Sequence, residues 1–291
     1  MEEKEILKGG YKIVENLLTS ADAYNMWHDG LEVDNLPGNF DLMVQSTCNL
    51  HCKDCSVLDW KGNEYPGQTM KLEDVININE KLIRLGVVLE RLTLLGGEPT
   101  LNKDIIKIMK YLSEFKNVTF KELKMITNGL NFKKDIVDSF KYLDNLRISV
   151  YPYSKDMEIE LKNSHLLEYL ESITNVEIKE EFYFQAHGSP DPKMEYSKEL
   201  NWERCFQKYF CRHLTINGMY RCTILENVDQ ELCDMTDKNK LVDYVNSDVP
   251  FDFCEKCPQP PITKPWQSNN PEVDKRNSKR GISLIKEWND E

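Results

Sequence analysis

The sequence predicts an α/β protein built on a parallel sheet, and three observations carry that prediction. Short apolar, strand-like runs alternate with helical patterns from Phe40 to Phe184. The helical stretches between them are long enough to serve as crossovers between parallel strands. Most of the chain's special residues (a cysteine, a Gly-Gly, an Asn-Gly) stand at the C-terminal ends of those runs, where ligands gather in parallel α/β architectures. An open barrel and a doubly wound sheet both satisfy this pattern; eight strands do not.

The elements follow in order. Residues 1–37 form a polar lead with one helical pattern around residues 17–27, closed by His28-Asp-Gly and Leu36-Pro-Gly. Phe40–Gln45 is the first strand and stops at Ser46-Thr47-Cys48. A helix over Leu72–Leu85 precedes a strand over Val87–Leu95, which ends at Gly96-Gly97. Asn102 is placed to cap a helix through Leu112. Leu123–Ile126 is the next strand, stopped by Thr127-Asn128-Gly129. A helix over Lys134–Phe140 leads to the strand Leu146–Tyr151, a longer helix to Met157–Ile173, and a fifth strand to Val176–Phe184. A sixth is expected nearer the C-terminal cysteines. Residues 187–200 read as a linker. Beyond it Leu214–Asn217 and Met219–Cys222 meet at Asn217-Gly218, a hairpin signal. Residues 191–268 are expected to form a small cysteine-rich domain, and 269–291 a charged tail with a last helical turn near Leu284–Trp288.

Composition removes some functions. The net charge is −12, with no long Lys/Arg block, so the usual electrostatic footprint for nucleic acid or an anionic membrane is missing. Every apolar run is broken well short of the roughly 18 residues a membrane span needs. The acidic Met1-Glu-Glu-Lys-Glu start has no apolar segment, so a cytoplasmic location is expected.

The nine cysteines form two groups. Cys48, Cys52 and Cys55 follow the first strand; Cys205, Cys211, Cys222, Cys233, Cys254 and Cys257 fall in the last third. An odd count without an export signal argues against a disulfide framework and for metal sites. Three thiolates from one loop suit a [4Fe–4S] cluster with one iron left open, the cluster counterpart of a catalytic metal's vacant position. With His51 as fourth ligand they also make a Cys3His zinc site, and that alternative stays open. Gly96-Gly97-Glu98-Pro99 brings two glycines that let backbone approach a ligand and a carboxylate able to accept from an amino group. Cys233, without partner spacing, reads as a plain buried thiol, and His28, His165, His187 and His213 as isolated side chains.

Cys48-x3-Cys52-x2-Cys55 after the first strand and Gly96-Gly97-Glu98-Pro99 after the second resemble the radical S-adenosylmethionine (SAM) superfamily over about residues 38–186. The resemblance implies a partial (β/α) TIM-like barrel of five to six parallel strands over 38–190. It implies that Cys48, Cys52 and Cys55 ligate a [4Fe–4S] cluster whose open iron chelates SAM. It also implies that Gly96, Gly97, Glu98 and Pro99 bind the methionine amino group, with Ser149 at the ribose position and Asn128 on the same rim. One departure is visible: the residue before the third cysteine is usually bulky and packs near adenine, and here it is Asp54. The second cysteine group resembles SPASM and twitch auxiliary-cluster extensions, implying a second [4Fe–4S] cluster on four of Cys205, Cys211, Cys222, Cys254 and Cys257.

The implied chemistry is reductive cleavage of SAM to a 5′-deoxyadenosyl radical that takes a hydrogen atom from substrate. The protein positions substrate and excludes stray donors. A flavodoxin- or ferredoxin-type protein is the expected electron donor. One auxiliary site and a lead too short for a precursor-binding domain favour a small substrate such as a sugar or cyclitol, oxidised or otherwise modified. A ribosomal-peptide modifier, making a thioether, a crosslink or an epimer, is the alternative enzyme. A non-catalytic zinc or iron–sulfur protein is the alternative from another class.

Overall fold

A computed structural model of the chain describes residues 32–53, 55, 69–152, 155–181, 183–186, 197–205, 212–222, 232–256 and 262–289. The predicted leader helix, most of the linker, and Asp54, Cys211 and Cys257 lie outside them.

Five strands and their crossovers build the frame: β1 (Asp34–Gln45), β2 (Val87–Gly96), β3 (Phe120–Thr127), β4 (Asn145–Val150) and β5 (Asn175–Glu180). They lie in the order β5-β4-β3-β2-β1, every neighbouring pair parallel. Between them run α1 (Leu72–Leu85), α2 (Ile105–Ser113), α3 (Lys134–Ser139), α4 (Lys155–Lys162) and α5 (His165–Ile173). Monotonic order decides between the two architectures left open by the sequence. Right-handed crossovers that always step the same way put every helix on one face, which is barrel logic; a doubly wound sheet reverses direction midway.

The register shows what each face does. Phe40, Leu92 and Leu123 lie side by side across the strands, and one pleat further on so do Leu42, Leu94, Met125, Leu146 and Val176. This row joins Val75, Ile78, Leu82, Ile105, Ile108 and Leu112 of the helices in one core. The opposite row runs Asp41, Thr93, Lys124, Asn145, with Arg147 and Glu177 one step along. Parallel strands covered on both faces read as continuous apolar runs. Here alternation persists, so the second face is the polar interior of an open barrel.

Local signals set the element ends. Asp74 accepts from the Lys71 backbone N–H at 2.8 Å at the start of α1, and Gly86 closes that helix in the left-handed region. Asn102 does not cap α2. Asp104 is its N-cap, and Asn102, two residues earlier, accepts from the Asp104 N–H at 2.7 Å and donates to the Val44 and Met70 carbonyls at 2.6 and 2.8 Å, pinning the helix start to the end of β1. The predicted helix over Met157–Ile173 is broken at Asn163-Ser164, where Ser164 caps α5.

The remaining elements are β6 (Tyr183–Ala186), α6 (Lys198–Arg204), β7 (Arg212–Thr215), β8 (Gly218–Tyr220), α7 (Lys238–Asn246), β9 (Ile262–Pro265) and α8 (Pro271–Glu287). Three stretches of the chain differ from the sequence reading. The fifth strand ends at Glu180, and its expected continuation is β6, which pairs antiparallel with β9. The hairpin β7–β8 forms at Asn217-Gly218 as predicted, and β7 pairs parallel with β1, Phe40 facing Arg212, as the sixth strand expected near the C-terminal cysteines. It thereby becomes a sixth parallel strand, on the β1 edge of the main sheet. Leu36-Pro37-Gly38, read as a stop, lies within β1 as an irregularity in its pairing with β2. The expected charged tail is the helix α8, with Asp274, Ser278, Gly281 and Ile285 buried along one side.

Candidate active site

The three cysteines of the first group stand just beyond the C-terminal end of β1, each half-buried. The Leu50 backbone N–H points at the Cys48 sulfur from 3.4 Å, and the Asn128 side-chain amide from 3.7 Å. Burial pushes the Cys48 and Cys52 thiols well above the ordinary thiol range; Glu98 adds to this at Cys48 and Cys55 at Cys52, where the neighbouring Trp266 indole offsets part of the rise. Such sulfurs hold a proton until a cation takes its place, and N–H donors aimed at them are the surroundings a metal-bound thiolate needs.

The loop's shape is set by the turn after β2. Gly97 N–H donates to the Gln45 carbonyl at 2.8 Å and Glu98 N–H to the Thr47 carbonyl at 2.9 Å. A β-carbon on Gly97 would meet the Thr47 carbonyl oxygen at 2.2 Å, and one on Gly96 the Gln45 oxygen at 2.4 Å. The two glycines are therefore required first by the close approach of β2 to the chain entering Cys48.

Glu98 is almost fully buried. Its carboxylate accepts from Thr100 N–H (3.1 Å), Thr100 Oγ1 (2.7 Å), Thr127 Oγ1 (2.6 Å) and Asn128 N–H (2.8 Å). Four bonds fill about the whole acceptor capacity of a carboxylate. The side chain that the sequence offers as an acceptor for an amino group is thus an internal brace joining the ends of β2 and β3. What the turn presents outward is backbone. Asn128 is likewise engaged: its Nδ2 donates to Asn49 Oδ1 at 2.6 Å, tying the β3 end to the cysteine loop. Ser149 is buried at the end of β4, on the polar face beside Lys179.

Several groups at this site had no signal in the sequence. Tyr151, just past β4, and Trp266, just past β9, stack in a tilted pair 5.8 Å apart. Tyr151 has its hydroxyl pushed up by burial and by Cys52 and Cys55. From the other side the segment 267–277 runs along the cysteine loop. Cys52 and Ser268 form an antiparallel bridge, Lys53 N–H donates to the Gln267 carbonyl at 2.8 Å, and Asn269 N–H to that of His51 at 2.7 Å.

The polar face below the site carries a linked set of charges. Arg91 Nε donates to Glu122 at 2.8 Å, Asn145 to the same carboxylate at 2.6 Å, and Arg147 Nε to Glu177 at 2.8 Å. Lys124 sits between Arg91 and Arg147, and burial with those like charges lowers its pKa.

In the second cysteine group, Cys205, Cys222 and Cys254 are half-buried. Their segments meet around Arg221, whose guanidinium lies 4.2 Å from the Phe251 ring centroid, 5.1 Å from Tyr244 and 5.6 Å from Trp202. It donates to the Ser247 and Val249 carbonyls. Asn201, in α6, donates to the Cys254 carbonyl at 2.6 Å. Cys233 is half-buried rather than enclosed; its backbone exchanges two hydrogen bonds with Met219, adding a third strand segment to the hairpin.

Among the described residues no three His, Cys, Asp or Glu side chains converge on a point as a single ion requires. His51 is turned to the buried Asp274, its Nδ1 at 2.8 Å. Neither observation suits the Cys3His zinc site. A cubane cluster spreads its irons over its corners, so its thiolates need not converge, and an all-sulfur donor set with N–H groups aimed at it fits one.

The radical SAM superfamily model matches residues 42–176. Residues 42–176 are thus a radical SAM domain. Such domains belong to enzymes, and the cofactors of the family are a [4Fe–4S] cluster and SAM. The curated relatives include a probable GTP 3′,8-cyclase of Saccharolobus solfataricus, 31% identical over 120 residues that make up 40% of this chain and 36% of the relative. They also include an S-adenosylmethionine-dependent nucleotide dehydratase of Flammeovirga pacifica, 30% identical over 120 residues, 40% of this chain and 39% of the relative. The chain thus spans little more than a third of the relatives it matches. Among solved structures, BtrN in complex with AdoMet and 2-DOIA aligns with TM-score 0.49 and 13% identity over 76% of this chain and 85% of that one. Streptococcus suis SuiB aligns with TM-score 0.42 and 14% identity over 75% and 68%. No helix among the described residues is long and apolar enough to cross a membrane.

Proposed function

We propose that this radical SAM enzyme holds its cluster on Cys48, Cys52 and Cys55 and acts on a small polar substrate of the sugar, cyclitol or nucleotide class. The observation that carries the reading is the meeting of the cysteine loop, the Gly96–Pro99 turn and Asn128 at one end of the sheet, joined by the buried Glu98 carboxylate. When bound, the cluster and SAM supply one-electron cleavage that yields a hydrogen-abstracting radical.

The chain's own residues do the rest. The backbone of Gly96, Gly97, Glu98 and Pro99 faces the methionine amino group, and Glu98 and Asn128 keep that backbone in register with the cysteines. Ser149 faces the ribose. The polar barrel face supports the substrate class: Arg91, Lys124 and Arg147, with the carboxylates of Glu122 and Glu177 paired to them, make a charged surface that suits a polar molecule better than an apolar one. The names of the curated relatives, cyclases and a dehydratase of nucleotides, agree with that class. A flavodoxin- or ferredoxin-type protein supplies the electron.

A second [4Fe–4S] cluster on four of Cys205, Cys211, Cys222, Cys254 and Cys257 belongs to the same proposal. The packing of three of those cysteines' segments around Arg221 supports it.

The test is 5′-deoxyadenosine formation by anaerobically reconstituted protein with SAM and a strong reductant. Formation is expected in the wild type and should fall to background in Cys52→Ala. Nucleoside triphosphates and aminocyclitols are expected to stimulate it. Stimulation by short peptides alone would move the assignment to peptide modification, and protein that loads zinc but never iron and sulfide would end it.

A further inference from the structure

Asp274 is a fully buried carboxylate in the first turn of α8, far from the sheet's own polar face, and the chemistry above gives it no part. Its side-chain hydrogen bonds go to the cysteine loop and to the strap beside it. Its two oxygens take the His51 backbone N–H at 3.1 and 3.2 Å, His51 Nδ1 lies 2.8 Å from Oδ1, and Ser268 Oγ donates to Oδ2 at 2.6 Å. One turn on, Asn277 Nδ2 donates to the Asn49 carbonyl at 2.7 Å. Gly281 packs on Leu130, next to the Asn128-Gly129 turn that braces the loop from the sheet side. A buried carboxylate is retained at a net gain only when its donors are fixed, and here the donors are the loop itself. His51 directly precedes Cys52, so the carboxylate's charge stands against the residue next to a cluster ligand.

Resting on the assignment of the cluster to Cys48, Cys52 and Cys55, we infer that Asp274 is a positioning residue for that cluster: from α8 it clamps residues 49–53 in the shape that receives iron and sulfide, and its charge sets the cluster's potential. The clamp acts through His51 and Ser268 and touches neither substrate nor SAM.

The experiment compares full-length wild type, Asp274→Asn, Asp274→Ala and His51→Gln after anaerobic reconstitution with iron and sulfide. It reads urea unfolding, the rate at which an iron chelator bleaches the cluster, and the midpoint potential from an EPR-monitored redox titration. Asp274→Ala leaves a buried backbone N–H and hydroxyl without an acceptor, so the cluster is lost at least about tenfold faster. Asp274→Asn retains one acceptor oxygen and should recover part of the retention. Its potential should nonetheless move to a less negative value, because a buried negative charge has gone. A role in folding alone would leave that potential where it was. His51 is partly exposed, so His51→Gln should fold whatever becomes of the buried position, and it should bleach at an intermediate rate. Folded variants that keep wild-type bleaching rates and potential would overturn the clamp. Wild type that binds no iron–sulfur cluster would instead remove the assignment on which the clamp rests, a failure visible before any variant is compared.

Discussion

Each cysteine region is organised by one buried charged side chain, carried in from α8 at the first and standing directly before Cys222 at the second, and the two charges differ in sign and in what they grip. At the first region the charge is an anion, Asp274, and its partners are donors on the loop next to the cysteines. At the second it is a cation, Arg221, whose partners are three aromatic rings and the carbonyls of Ser247 and Val249. The first arrangement controls a short loop down to single hydrogen bonds. The second gathers segments from α6, the hairpin and the turn at Asp252–Lys256 into one apolar knot and leaves Cys205, Cys222 and Cys254 half-buried. A site where SAM must meet an open iron needs the former kind of control; a site that only houses an electron-transfer or substrate-ligating cluster can rely on the latter.

The sharpest way to separate the regions is to remove a ligand from the second and leave the first intact. Cys254→Ala should lower iron per reconstituted chain by about half, the share of one of two cubane clusters. It should spare 5′-deoxyadenosine formation, which Cys52→Ala abolishes. Iron and sulfide analysis beside the cleavage assay checks this. Equal loss of cleavage in both variants would mean that the two regions do not work separately.

The knot itself comes next. Arg221→Leu keeps apolar bulk but removes the cation from three rings and the donors from two carbonyls, at a cost of about 2–4 kcal/mol in urea unfolding. Arg221→Lys should recover little of it, because an ammonium offers neither the planar fork nor the stacking surface. If the comparison holds, both variants lose iron from the second region first.

The difference between the regions also explains what could be read in advance. Cys48-x3-Cys52-x2-Cys55 and Gly96-Gly97-Glu98-Pro99 are local spacings, legible without a fold. The strands were legible because the sheet has one apolar and one polar face, giving the alternation of Asp41 with Phe40 and Leu42, or Lys124 with Leu123 and Met125. Other features depended on contacts between distant positions. The pairing of Phe40 with Arg212 and of His51 with Asp274 leaves no mark in either segment. The Val176–Phe184 run read as one strand because its β-forming residues continue past Glu180, where the pairing partner changes. In the helix α8, three of the four residues buried along one side are Asp274, Ser278 and Gly281, so the segment looks like a solvated tail by hydropathy although it is docked along its length. The sequence offered Glu98 as an acceptor for an amino group; its hydrogen bonds go instead to Thr100, Thr127 and Asn128, the last two of which the sequence could not place beside it.

The smallest effect tests that docking directly. Glycine inside a free helix is worse than alanine by about 1 kcal/mol, so Gly281→Ala should stabilise the protein by about that amount if α8 were merely lying in solvent. In the folded chain a β-carbon at Gly281 would stand 2.9 Å from Leu130 Cδ2 and 3.1 Å from Leu130 Cα. The methyl can rotate away, but the backbone atom belongs to the turn fixed by Asn128, whose amide N–H is held by Glu98. The helix must therefore back off by a few tenths of an ångström. The expected outcome is a loss of about 1 kcal/mol in urea unfolding where propensity alone predicts a gain. Chelator bleaching of the first cluster should quicken in the same variant, since Asp274 and Asn277 are carried on the helix that moves. A stabilised Gly281→Ala with unchanged bleaching would detach α8 from the cysteine loop, and with it the contrast between an anion that shapes a loop and a cation that gathers a knot.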